Sequence, residues 1–339
     1  MITQFYQMAV RYDRHRKSRR SVALASPVVS VGGITAGGSG KTPFISWLLE
    51  RIPDDVEPII LSRGYGRAAS APTNVVVAAG ELEDEERRVR ELGDENALLY
   101  TRMSRGFIGV GSDRVASFRI VEKLLTPGLK PLVILDDGFQ HHRIRRDLDI
   151  VLLDSDLLTD RRTLPFGRLR EPIEGIGRAD LILIHSPELL PLVRRQIPAS
   201  SPVPILAVER IVTAPQEIVG GEPLSRGRSF VLVTGIARSE RVVDDLLHLR
   251  YVPASHLHFA DHYRYDRNDV AGILREMEHV GADAIVTTEK DLVKLRAFPA
   301  LSGKLFTLPM TLRIEEEETV RRIVDESIRR RTDRRISTR

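Results

Sequence analysis

A chain of 339 residues with 42% apolar and 29% charged side chains is long enough for a large core and suits two domains of ordinary size. That balance excludes disorder, collagen and a disulfide scaffold, and the absence of cysteine removes zinc-thiolate sites, iron–sulfur clusters and cysteine nucleophiles. The net charge of +4 is uneven, because residues 11–20 and 328–339 each carry six basic side chains against one acid and leave a body near −6. A body of that sign is unsuited to duplex nucleic acid, so no nucleic-acid partner is expected. The basic ends suit an anionic membrane surface or plain solubility.

The N-terminal segment, 1–20, places Ile2, Phe5, Tyr6, Ala9 and Val10 on one helical side before its basic cluster, as an interfacial helix or a helix docked on the protein would. Residues 21–40 carry no charge and imitate a signal peptide or a membrane span, but they hold five Gly, four Ser and a Pro. They read instead as a buried strand entering a glycine-rich loop. No signal peptide and no transmembrane helix are expected, which places the chain in the cytoplasm.

Apolar β-branched runs at 28–34, 58–61, 107–110, 132–135, 149–153 and 181–184 read as two-faced parallel strands. Between them 42–51, 94–103 and 113–125 have helical spacing. The alternation predicts an α/β fold, a doubly wound, mostly parallel sheet. Five prolines between 187 and 204 then interrupt the pattern, and a second alternating set follows at 230–234, 241–249, 269–279, 284–287 and 315–329. The expected division is a first domain over 21–208, a smaller α/β domain over 209–330 and a basic tail over 331–339.

Thr35-Ala36-Gly37-Gly38-Ser39-Gly40-Lys41-Thr42 lies between an apolar strand and a helix that opens with Pro43. A phosphate chain needs that arrangement: glycines let backbone N–H groups approach, the helix N-terminus adds its dipole, Lys41 reaches the outer phosphates and Thr42 can ligate magnesium. The sheet is therefore expected to be P-loop NTPase-like, although the general pattern starts with Gly where this chain has Thr35. Arg outnumbers Lys 44 to 7, yet Lys holds this position. The strand 132–135 ends in Asp136-Asp137, the form that holds magnesium or its waters beside such a loop. The guanine-reading Asn-Lys-x-Asp tetrad is missing.

These elements occur in one order with Ser62-Arg63-Gly64-Tyr65-Gly66-Arg67, Gly93-Asp94-Glu95, Gly138-Phe139-Gln140-His141, Leu169-Arg170-Glu171-Pro172, Asp261-His262 and Thr288-Glu289-Lys290-Asp291. The set resembles the tetraacyldisaccharide 4'-kinase family of lipid A biosynthesis from about residue 25 to about 310. The resemblance implies ATP and Mg2+ as cofactors and an acylated glucosamine disaccharide 1-phosphate as acceptor, phosphorylated on its 4'-hydroxyl to give lipid IVA. It also implies peripheral work at the cytoplasmic face of the inner membrane, and no segment points to an obligatory protein partner.

Carried onto matching positions, Lys41 and Thr42 would serve phosphates and metal, with Asp136, Asp137 and Glu171 in or near the metal shell. Asp94 would take the sugar proton, supported by His262 from the second domain. Arg170 and His141 would lie beside the transferred phosphate, and Arg63, Arg67 and Glu95 would meet substrate or phosphate. Without the resemblance, Asp94 reads as a helix N-cap, and Arg63 and Arg67 either bind a substrate phosphate or solvate a loop. The chain departs from the family at Asn96, where Pro is usual, and at the bulkier 165–168, which touches loop conformation more than chemistry.

Overall fold

The computed structural model describes Arg16 and residues 19–68, 70–198, 202–218 and 220–336, with side chains as far as Arg331. The apolar face proposed for residues 2–10 lies outside these.

The first sheet has nine strands: β1 (Val28–Gly32), β2 (Val56–Ser62), β3 (Asn74–Ala78), β4 (Phe107–Gly111), β5 (Lys130–Asp136), β6 (Leu148–Leu153), β7 (Leu181–Ile184), β8 (Ile205–Val212) and β14 (Met310–Ile314). Their order is β14-β8-β7-β6-β1-β5-β2-β4-β3, parallel except for the antiparallel edges β3 and β14. Each central strand buries both faces because its alternate residues enter different cores. On β5, Leu132 and Ile134 join Phe44 and Trp47 of the helix Lys41–Leu49, whereas Val133 and Leu135 join Phe118 of the helix Arg114–Val121. That explains the unbroken apolar runs: each such side chain contributes about 1.5–3 kcal/mol when fully buried, on whichever side it lies.

The second sheet contains β9 (Gln216–Glu217), β10 (Phe230–Thr234), β11 (Ser255–His258), β12 (Ala284–Thr288) and β13 (Leu305–Leu308) in the order β11-β10-β12-β13-β9. Here too Phe230 and Leu232 face one core while Val231 and Val233 face the other.

Residues 310–336 differ from the sequence-based division. β14 pairs with β8, and Val320, Val324 and Ile328 of the helix Glu317–Ile336 pack in the same core as Phe44 and Trp47. The helical period is right for 315–329, but the end of the chain returns to the large sheet rather than completing the smaller one. The reason is edge coverage, since β8 otherwise presents an unpaired ladder and Val208 an uncovered face.

The chain leaves β1 toward β2 on one side, and β6, β7 and β8 build the other side. Such a reversal opens a crevice at the carboxyl ends of the strands. Ser62, Asp136, Asp154 and His185 all end or follow strands there.

Ile314 is 4% exposed, so Ile314→Ala should lower stability by about 2–5 kcal/mol. Urea denaturation of the whole chain checks this, and a loss below about 0.5 kcal/mol would detach β14 from the large core.

Candidate active site

The loop after β1 carries Gly37, Gly38 and Gly40 at φ of 76°, 65° and 78°, a left-handed region that side chains avoid. Gly40 has a second reason to be glycine, because a Cβ there would stand 2.5 Å from His185 Nε2. That nitrogen lies 3.2 Å from Ser39 O, which only accepts, so the imidazole donates. Burial lowers the His185 pKa and keeps the ring neutral for that role. Thr35, where the general pattern has Gly, lies outside the left-handed region: it bridges Leu169, while Ala36 N donates to Arg168 O at 2.8 Å and Arg170 N to Ile34 O at 2.7 Å. A strand-like residue needs no glycine. Lys41 Nζ donates to Ser39 Oγ at 3.1 Å and stands 3.5 Å from Asp137 Oδ1.

The two acids at the end of β5 differ in charge environment. Asp136 accepts from Ser62 Oγ at 2.8 Å, and burial, followed by Glu95 and Asp137, pushes its pKa up to about 6. Asp137 is buried as well, yet Lys41 and Arg170 outweigh that and hold it below the usual carboxylate range. Arg170 donates directly to Asp137. Thr42, Asp136 and Asp137 offer only oxygen atoms, the donor type magnesium takes, and the glycine loop offers backbone N–H groups to a phosphate chain. Among the described residues no three His, Cys, Asp or Glu side chains gather closely enough to hold a metal by themselves. The three acids expected in or near the metal shell, Asp136, Asp137 and Glu171, all line the cleft at the glycine loop. Glu171 is 3% exposed and gives its carboxylate to Arg178 at 2.9 Å and Gln140 at 2.8 Å. Magnesium bound through one or two carboxylates, waters and phosphates needs no third acid.

Asp94 opens the helix Asp94–Thr101 and is 3% exposed. Gly93 at φ 81° is the N-cap, so Asp94 is the first helical residue, and its carboxylate accepts from the first-turn N–H of Glu95 at 3.0 Å. Its carboxylate faces His262, whose Nδ1 lies 2.9 Å from Oδ1 and 3.0 Å from Oδ2. Lys290 and Lys294 stand 3.7 and 3.9 Å away. Burial raises the Asp94 pKa, but the His262 hydrogen bond and the two ammonium groups outweigh it and the net shift is downward. The hydrogen bond from His262 to Asp94 raises the imidazole pKa against burial and against Lys290, whose Nζ is 3.4 Å from Nε2. Asn96, in place of the usual Pro, donates to Leu92 O at 2.9 Å and ties the junction before Asp94.

The glycine loop, Lys41, Thr42, Asp136, Asp137, His262 and Lys290 line one cleft of about 2460 Å³ between the two sheets' domains, together with Arg63, Glu95, His141 and Arg170, while Asp94 is buried against His262 beside it. Glu95 pairs with Lys290 at 3.3 Å. Arg63 donates to Tyr65 Oη at 3.2 Å. Arg67 is the exception, because its guanidinium donates to the carbonyls of Glu91, Pro72, Thr73 and Val110 and braces the turn instead of meeting a ligand.

Compared with known proteins, residues 1–329 match the family described as Tetraacyldisaccharide-1-P 4'-kinase. The chain belongs to this family. The tetraacyldisaccharide 4'-kinase of Syntrophobacter fumaroxidans is 35% identical over 338 residues, covering 96% of this chain and 86% of that protein. That of Cytophaga hutchinsonii is 37% identical over 287 residues, covering 81% and 78%. A crystal structure of LpxK from Aquifex aeolicus in complex with ATP aligns with a TM-score of 0.75 at 26% identity, covering 96% of this chain and 97% of that one. Membership makes the chain a kinase on an α/β fold of P-loop type, and among the described residues no helix is long and apolar enough to cross a membrane.

Sequence reasoning misses several residues of this kinase site. Ser62 and Lys290 belong to quoted motifs but have no role implied for them, and His185 and Lys294 carry no spacing signal. A sparse residue type is the available clue, since three of the seven lysines, Lys41, Lys290 and Lys294, stand at these two centres.

Removing the Asp94 charge in Asp94→Asn leaves burial and Lys290 acting on His262, so its titration should move to lower pH in an imidazole NMR experiment. The stability effects of the two groups lie on opposite sides of a pH window. The raised His262 pKa contributes below about 6.5 and is lost as pH rises through the folded value, and the lowered Asp94 pKa contributes above about 3.8 and is lost as pH falls through its own. The stability difference between wild type and Asp94→Asn should therefore be largest between those limits in a pH series of denaturation curves.

Proposed function

We propose that the chain transfers the γ-phosphoryl group of ATP to the 4'-hydroxyl of a tetraacylated glucosamine disaccharide 1-phosphate, giving lipid IVA in lipid A biosynthesis, with Asp94 as the base and His262 as its support. The observation that carries this reading is a buried carboxylate, Asp94, held by His262, which lines the same cleft as the glycine loop and Lys41. Magnesium bound with the nucleotide would supply charge neutralisation at the β and γ oxygens. Thr42, Asp136 and Asp137 are the residues here that would hold it or its waters.

The chain's own contribution is position and charge. Lys41 stands on the loop where the outer phosphates would lie, tied at rest to Ser39 and Asp137. Arg170, paired with Asp137, adds a second cation on that side. Asp94 stays ionised because His262, Lys290 and Lys294 favour its charged form, so it can accept the hydroxyl proton. A carboxylate of low pKa is a weak base, but phosphoryl transfer through a loose transition state asks little of the base until the new bond forms. Orientation is then its larger duty, and His262 Nδ1 on both carboxylate oxygens fixes it.

The acceptor is an amphiphile, so we also propose that the protein works at the cytoplasmic face of the inner membrane, using its basic segments. Each Lys or Arg near anionic lipid adds about 1 kcal/mol and is screened by salt. Deleting residues 1–17 should reduce sedimentation with anionic vesicles at low salt, and unchanged sedimentation would remove that segment from the reading.

The chemistry is tested by labelled ATP and the tetraacyl disaccharide 1-phosphate. Asp94→Ala and His262→Ala should each lower kcat about 10²–10⁴-fold while ATP affinity stays near wild type. The double variant should lose much less than the product of the two. Multiplicative losses would dissolve the pair as a unit, and ATP turnover without any acylated acceptor would overturn the kinase reading.

A further inference from the structure

A second charged cluster stands at the glycine loop, made of residues other than the proposed base and metal groups. Arg168, on the large domain, donates to Ala36 O at 3.0 Å and to Asp156. Arg238 comes from the other side, immediately before the helix Ser239–His248 of the second domain. Its guanidinium lies over the loop, with Cζ 3.6 Å and Nη2 3.7 Å from where a Cβ on Gly38 would stand, while Arg168 Nη2 is 3.8 Å from the same point on Gly37. Both arginines donate to Asp156 Oδ2, and Arg241 stands 4.0 Å from Oδ1. Arg238 Nη1 is buried without a hydrogen-bond partner among the described residues.

Three guanidinium groups therefore converge on one carboxylate, with Asp154 as a nearby second acid. The cluster is left with surplus positive charge directly over the glycine loop. A guanidinium offers paired donors that match two phosphate oxygens, and a donor left unmatched while buried is costly until such an acceptor arrives. Resting on the nucleotide reading of the glycine loop, we infer that Arg238 binds the polyphosphate chain of the nucleotide from the second domain, and that Asp156 is the partner the phosphates displace. The same domain carries His262 to Asp94. A nucleotide gripped by Arg238 thus favours the domain arrangement that completes the base.

A plain clasp between domains would also pair Arg238 with Asp156, and the two readings differ in sign. Calorimetric titration of the full chain with Mg·ATP separates them. Arg238→Ala should weaken ATP binding about tenfold or more, while Asp156→Asn, which removes the competing carboxylate, should leave it unchanged or tighter. If Arg238→Ala melts far below wild type, Arg238→Lys is read instead, and a loss of about threefold or more supports the inference. Affinity within about twofold of wild type in the variant that is read, or equal losses in Arg238→Ala and Asp156→Asn, would overturn it. Wild type failing to bind ATP, or Lys41→Ala binding as well as wild type, would instead overturn the nucleotide reading itself, whatever Arg238 does.

Discussion

The arrangement of this protein turns on one buried charge. Asp94 is 3% exposed, and an ionised carboxylate at that depth costs several kcal/mol unless cations and donors surround it. The large domain supplies a backbone donor from Glu95 and little else, so the compensation comes from His262, Lys290 and Lys294, all on the second domain. Neither domain holds a stable ionised Asp94 by itself. The proposed base is therefore competent only while the domains are together, and the link between closure and chemistry is electrostatic before it is mechanical.

The large sheet sets the other half of the cleft. Parallel strands end at one edge, and the reversal of direction beside β1 leaves that edge open. Tight backbone approaches hold the loop at that edge: a Cβ on Gly32 would stand 2.6 Å from Phe139 Cβ, and one on Gly40 would meet His185. The first contact seats the end of β1 against the segment carrying Asp136 and Asp137, and the second seats the loop against the residue that follows β7. The loop geometry thus depends on a neighbouring strand's side chain as much as on its own glycines.

An arginine-rich chain uses its guanidinium groups both on carboxylates, as at Asp137, Glu171 and Asp156, and as braces on backbone. Arg67, Arg88, Arg105 and Arg114 all donate to backbone carbonyls and brace turns or strand ends. The planar fork of arginine suits that fixed bonding, whereas the ammonium of lysine is a compact charge with rotatable donors. Lys41, Lys290 and Lys294 stand beside carboxylates at the loop and at the proposed base.

Periodicity and loop chemistry were legible in the residues alone, because burial on two faces demands unbroken apolar runs and a phosphate loop demands glycine and lysine in order. That reading located β1, β2, β4, β5, β6, β7, β10 and β12 but not β3, β8, β11 or β13, together with the helix after the loop, and Lys41, Asp136 and Asp137 at one edge. The family pattern added Asp94 and His262, which spacing could not join across 168 positions. Tertiary structure decided the rest. It turned Arg67 into a brace, because four carbonyls converge on it, and it placed Glu171 against Arg178 and Gln140. It returned β14 to the large sheet, because an open edge and an uncovered core lay there. It also brought Arg238 over Gly38 and Lys294 near Asp94. Local sequence records what a segment can bury and how its backbone can turn, whereas the partner of a charge is chosen by whichever distant segment packs against it.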